Sequence, residues 1–172
     1  MKKFLFLIIS LFILESCSSI ERVATETFSD SSIKGRIEYL WFGTKKDSFN
    51  GLTVRVQDGR VLIAGKINNP EEHVQAIRLA WQAEGVKEIV DQITIGQSNW
   101  KTYAQDTWIT LQIKNHLLWD LGIASSHYNI STVDGIVYIL GVGENQAELD
   151  RAITQARYVQ GVKHVTSYVR LK

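Results

Sequence analysis

Few side chains in this sequence could do acid–base or metal chemistry, and they do not converge. The four histidines are His73, His116, His127 and His164. No two stand at the i, i+4 spacing that puts a metal-binding pair on one helix face. His116 lies beside an apolar stripe and reads as a half-buried structural histidine. Glu71, Glu72, Glu144 and Glu148 fall in the first turns of expected helices, where negative charge suits the dipole. Asp58 and Asp134 precede glycines in tight turns. There is no Gly-rich phosphate loop, no Gly-x-Ser-x-Gly and no paired-carboxylate pattern. The expectation is a protein that is not an enzyme, with no metal and no cofactor. Two other kinds of chemistry remain. One is a lone thiol, Cys17. The other is a crowd of large apolar side chains in "QDTWITLQIKNHLLWD" (105–120).

As a helix, that stretch is apolar on two opposite sides. Ile109, Ile113 and Leu117 recur at i, i+4, i+8 and make one stripe. Trp108, Leu111, Leu118 and Trp119 lie on the other side. A helix on a small domain buries one stripe and wets the rest, so the second stripe needs a partner.

The chain that must position these groups has 172 residues, enough for one domain or two small ones. With 45% apolar residues it can build a core. A net charge of +1 gives no basic field for nucleic acid. One cysteine precludes an internal disulfide. The start, "MKKFLFLIISLFILESC", has two lysines and an apolar run from Phe4 to Leu14, too short to span a bilayer and suited to a secretory signal. It resembles a bacterial lipoprotein signal, with Leu14 and Ser16 in the pattern and Glu15 where a small or apolar residue is usual. That resemblance implies a signal peptide over 1–16, cleavage before Cys17, acyl chains such as palmitate on Cys17, and a tether over 17–29. Ser18, where an aspartate would hold the protein at the inner membrane, implies a lipid-anchored place on the periplasmic face of the outer membrane. Loss of Lys2, Lys3 and Glu15 leaves a mature chain with equal numbers of basic and acidic residues.

A shift of the sequence against itself carries "DGRVLIAG" (58–65) onto "DGIVYILG" (134–141) and "AIRLAWQAEGVK" (76–87) onto "AITQARYVQGVK" (152–163). Asp30, Ile33 and Ile37 fall on Asp106, Ile109 and Ile113 at the same offset. The chain therefore holds two copies of one unit, over 30–96 and 106–172, joined by a linker over 97–105. In each copy an opening helix is expected over 31–42 or 107–119, with Asp30 or Asp106 as N-cap. "LTVRVQ" and "YNISTV" alternate as strands. "QDGR" and "VDGI" carry the Asp-Gly signal of a two-residue hairpin. "VLIAGKI" and "VYILGVG" return as second strands. A helix follows over about 70–83 or 145–159, with Gly85 or Gly161 ending it. "VKEIVDQITI" and "VKHVTSYVRL" close each copy. The fold class is α+β: two tandem αββαβ units, each a three-stranded mixed sheet covered by two helices.

An αββαβ unit with "DG" before a strand ending in glycine, then a helix ending "GVK", resembles the BON domain. Two such units behind a lipoprotein signal resemble the dual-BON outer-membrane lipoproteins of proteobacteria. "DTWIT" (106–110) followed by "LL" (117–118) resembles the division-associated, phospholipid-binding member of that group. The resemblance implies phospholipid binding through the second unit and a role in envelope integrity. Carried over by position, the lipid-contacting tryptophan is Trp108, with Leu111, Gln112, Lys114, Asn115 and Leu118 on or beside the stripe.

The repeat supplies an internal control. Ile109 and Ile113 match isoleucines in the first copy, and Leu117 matches Trp41, so that stripe builds the fold. Trp108, Leu111 and Trp119 match Ser32, Gly35 and Gly43, and only Leu118 matches a large residue, Phe42. Three partners could cover the surplus: the other copy, an envelope protein or a membrane. A protein partner could also use Tyr39, Phe42 and Phe49 of the first copy. Tryptophan suits the bilayer interface, with an apolar body and a polar N–H. Preference for anionic lipid is implied by the resemblance, yet Lys114 and Lys101 are set against Asp106 and Asp120 on a neutral chain.

Overall fold

The computed structural model describes residues 28–44, 48–97 and 99–172. The expected signal and Cys17 lie outside the described residues. The first copy runs α1 (Asp30–Thr44), β1 (Leu52–Gln57), β2 (Arg60–Ile67), α2 (Pro70–Trp81) and β3 (Glu88–Ile95). The second runs α3 (Trp100–Trp119), a 3-10 turn (Ser125–His127), β4 (Tyr128–Val133), β5 (Ile136–Gly143), α4 (Gln146–Arg157) and β6 (His164–Leu171).

Each sheet is mixed, with the second strand in the middle: β2 pairs antiparallel with β1 and parallel with β3, and β5 does the same with β4 and β6. The hairpins are tight because Asp58, Gly59, Asp134 and Gly135 all take positive φ, the conformation of a type I′ turn. Asn69 and Asn145 cap α2 and α4 by accepting the N–H of Glu72 and Glu148.

Three local expectations are corrected. Asp30 and Asp106 are not N-caps. Each carboxylate accepts two hairpin N–H groups: Asp30 from Asp58 at 2.8 Å and Gly59 at 2.9 Å, Asp106 from Asp134 at 2.7 Å and Gly135 at 2.8 Å. They tie the opening helix to the hairpin beneath it. The opening helix of the second copy begins at Trp100 rather than at 107, so most of the 97–105 linker is helical, capped by the Asn99 side chain accepting from Lys101 N–H. Gly85 and Gly161 lie beyond the helix ends, at Trp81 and Arg157, in turns with φ of 90° and 93°. A Cβ at Gly161 would come within 3.1 Å of Ile109 Cδ1, and one at Gly85 within 2.6 Å of Phe28 Cβ. Glycine there admits both the turn and the adjoining core.

The central strands are buried on both faces. Val61, Ile63 and Ile67 join the first helical core with Ile33, Ile37 and Trp41. Val137 and Ile139 join the second with Ile109, Ile113 and Leu117. The alternate residues Leu62 and Ala64 face Tyr138 and Leu140 in a third cluster, with Val90 beside them. The two sheets therefore pack back to back, with the helices outside. Polar contacts rim that junction: Thr53 to Ser131 at 2.7 Å, Arg60 to the Tyr168 carbonyl at 2.9 Å, and Lys66 to Asp134 at 2.7 Å.

Candidate functional site

The site expected from sequence lies on α3. At 1.5 Å per residue its 20 residues extend about 30 Å. The face toward the sheet buries Asp106, Ile109, Ile113 and Leu117. The opposite face is exposed: Trp108 is 46% accessible, Leu111 56% and Leu118 64%. Lys114 and Asn115 are exposed, and Gln112 is half-buried. At about 100° per residue, Leu111, Asn115, Trp108 and Leu118 share one sector, while Gln112 and Lys114 border it on opposite sides.

The structure extends this face beyond the residues expected. Trp100 and Trp119 are each 81% accessible and fall in the same sector. Tyr103 and Leu121 are exposed beside it. Trp100 lies in the segment expected as a linker and is the first residue of α3. The missed signal is its spacing: Trp100, Trp108, Leu111 and Leu118 fall on one helical face if the helix starts at Asn99.

The first copy shows that the fold does not require this face. A Cβ added at Gly35 or at Gly43 would meet nothing within 4 Å. Those positions look into open space in one copy, and hold leucine and tryptophan in the other. Nor does the first copy cover the stripe, because the two units meet through their sheets. Phe49, expected as an exposed docking residue, is instead buried against Trp41, with ring centroids 5.7 Å apart. Tyr39 and Phe42 are exposed on α1.

The polar groups nearby are structural. Asp120, after the last turn of α3, accepts from Arg151 at 2.5 Å and from the Gly122 N–H at 3.0 Å, and these bonds hold its carboxyl below the usual range. Glu148 does more than favour a helix dipole. It is buried, and burial opposes its charge, but the N–H groups of Ala124 and Glu144 at 2.7 Å each outweigh that and lower its pKa. His116 is half-buried. Among the described residues, no group of three His, Cys, Asp or Glu could hold a metal ion, and no helix is long and apolar enough to cross a membrane.

The BON domain profile matches this sequence twice, over residues 30–97 and 105–172. The chain belongs to the BON-domain family. Its two BON domains are the two back-to-back units. The chain is 43% identical over 126 residues to an Anaplasma centrale protein from the gshII 5′ region, covering 72% of this chain and 83% of that protein. It is 29% identical over 146 residues to osmotically-inducible protein Y of Escherichia coli, covering 83% and 73%. It is 28% identical over 109 residues to the outer membrane lipoprotein DolP of Haemophilus influenzae, covering 63% and 56%. The alignment to osmotically-inducible protein Y, at 83% of this chain, takes in residues of both BON domains.

Proposed function

We propose that this BON-domain protein is a non-catalytic envelope lipoprotein whose second domain contacts phospholipid through the outer face of α3. One observation carries the reading. A sector of tryptophan and leucine runs the length of α3 opposite its core face, and at Trp108, Leu111 and Trp119 the first domain manages with Ser32, Gly35 and Gly43. Trp108, Leu111 and Leu118 form the contact, with Gln112, Lys114 and Asn115 at or beside the headgroup level. Trp100 and Trp119 extend it to both ends of the helix. A tryptophan-bearing helix lying in the membrane plane is a familiar interfacial geometry.

Magnitudes assign the roles. Acyl chains on Cys17 would supply about 0.8 kcal/mol per buried CH₂, far more than any single side chain on α3. The lipid is then the anchor at the periplasmic face of the outer membrane, and α3 orients the tethered domains against the surface. The likeness to DolP, an outer membrane lipoprotein, supports this placement, and a part in outer-membrane integrity is what the BON resemblance of the sequence implies. Vesicle flotation of the chain lacking residues 1–17, which keeps every described element, is the test. The protein should rise with phospholipid vesicles. Protein that stays at the bottom of the gradient at every lipid concentration would refute the contact.

A second reading is favoured by exposed Tyr39 and Phe42 on α1. With apolar side chains on the opening helices of both domains, the chain could clasp an envelope protein instead. Retained vesicle binding separates the two.

A further inference from the structure

A groove of about 460 Å³ runs between the two BON domains and is lined by cations from three elements: Lys34 of α1, Arg55 of β1 and Lys114 of α3. Arg55 is fixed from both domains' strands, its Nε donating to the Ile130 carbonyl at 3.1 Å and its Nη1 to the Val54 carbonyl at 3.0 Å. Neither bond neutralises it. Among the described residues, no carboxylate lies within ion-pair distance of Arg55 or Lys114, and Lys34 has one, Glu38 at 3.6 Å. Asp30 also lines the groove and keeps its charge, its oxygens held by the Asp58 and Gly59 N–H groups, and Glu38 lies near enough to favour the charge of Arg55, so three cations face two carboxylates. Positive charge is thus in local excess at the seam of a chain with a net charge of only +1. Burial, then Arg55 and Lys34, hold the Lys114 ammonium below its usual range. Like charges brought together in a partly desolvated groove repel, and an anion there removes the repulsion.

We infer that this interdomain groove binds a phosphoryl group, held by Lys34, Arg55 and Lys114. A planar guanidinium matches phosphate oxygens in pairs, and lysines on both sides add point charge. The position fits a headgroup. Lys114 borders the apolar sector of α3, so a phosphate in the groove would sit beside acyl chains met by Trp108 and Leu111. The inference rests on the proposed membrane contact for the source of the phosphoryl group, though not for the groove's chemistry. It assigns the first domain a part in headgroup choice, through Lys34 and Arg55.

The test uses the chain lacking residues 1–17 and the double variant Lys34→Gln/Lys114→Gln, both substitutions at surface side chains that should leave the melting temperature unchanged. Arg55 is left intact because it bridges the domains. Glycerol 3-phosphate is titrated while backbone amide resonances are followed. Binding is then compared for phosphatidylcholine vesicles with and without one-third phosphatidylglycerol. The wild type should show shifts at residues 34, 55 and 114 and should prefer the anionic vesicles. The double variant should lose the shifts and about thirtyfold of that preference; Lys34→Gln alone, outside the α3 contact, should lose about fivefold of it while keeping its binding to phosphatidylcholine. Shifts without any lipid preference would support the groove with a soluble phosphate compound as its source. A preference lost in the variant without such shifts would support the groove with a membrane-held headgroup. If the wild type binds neither vesicle, the membrane reading fails and the titration alone decides the groove. Absence of shifts, together with vesicle binding indifferent to the two substitutions or absent, overturns the inference.

Discussion

Trp108→Glu tests the proposed membrane contact, with a core residue of the same helix as its control. Trp108 is 46% accessible, and a tryptophan carries up to about 250 Å² of surface. Roughly 115 Å² is therefore available to a bilayer interface, worth about 3 kcal/mol at about 25 cal/mol per Å². Loss of that contact weakens partitioning roughly a hundredfold, and the added carboxylate opposes insertion further. The folded state should hardly notice, since the matching position in the first domain is an exposed serine, Ser32. Surface changes of this kind cost within about 0.5 kcal/mol, or about 1–2 °C in melting temperature. The control is its neighbour. Ile109 is fully buried, so Ile109→Glu places an unpaired charge in the second domain's core and should cost at least about 3 kcal/mol. Thermal unfolding and vesicle flotation of both variants form the assay. Equal destabilisation by the two substitutions would show that the stripe is internal packing. A folded Trp108→Glu protein that binds vesicles as the wild type does would transfer the stripe to a protein partner.

Other outcomes follow from geometry already described. Asp106→Ala strands the N–H groups of Asp134 and Gly135 and should cost about 2–3 kcal/mol, read from a denaturant midpoint. Asp30→Ala should cost less, because Asp58 is exposed and can turn to water; equal losses would sink the burial argument. Glu148→Gln should destabilise the second domain by about 1–2 kcal/mol at neutral pH. The pKa of Glu148 is lowered by folding from an ordinary 4.5, so its charge stabilises the fold above that value and the stability is lost as pH falls through the lower folded one. The gap between wild type and Glu148→Gln should close on acidification, and a pH-independent gap would refute the charge-based account. Cys17→Ser should abolish incorporation of a tagged fatty acid, and equal labelling of the two proteins would remove the anchor.

The architecture was legible because it is written twice. Each apolar alternation, Asp-Gly turn and terminal "GVK" in one copy corroborates the other, and the strands and α2 lie within a few residues of expectation. The helix boundaries were less legible. Asp30 starts a helix in the first copy, and the repeat points to Asp106 as the start of one in the second. Nothing local distinguishes an aspartate capping its own helix from one reaching across to cap a hairpin 28 residues away, which is what both do. The extra turns of α3 escaped for a related reason. Their side chains serve no core, so "NWKTYAQ" lacks the buried stripe by which a helix is recognised. The interdomain packing was also partly concealed. Leu62 and Tyr138 alternate with core residues on strands buried on both faces, and a continuous apolar run does not say what covers its second face.

The back-to-back packing sets equivalent positions of the repeat against each other, Leu62 with Tyr138 and Ala64 with Leu140. Such a surface is self-complementary: one unit alone carries both halves of the contact and is expected to associate with a second copy of itself. The tandem chain is in effect a dimer whose subunits have been fused. Fusion fixes the stoichiometry and removes the need for the two halves to remain identical. One opening helix could keep glycine and serine on its outer face while the other accumulated tryptophan and leucine. The stripe of tryptophan and leucine that a homodimer would carry on both sides, inviting lateral aggregation, is present on one side only; the other keeps Tyr39 and Phe42. A molecule with two unlike outer faces is the consequence.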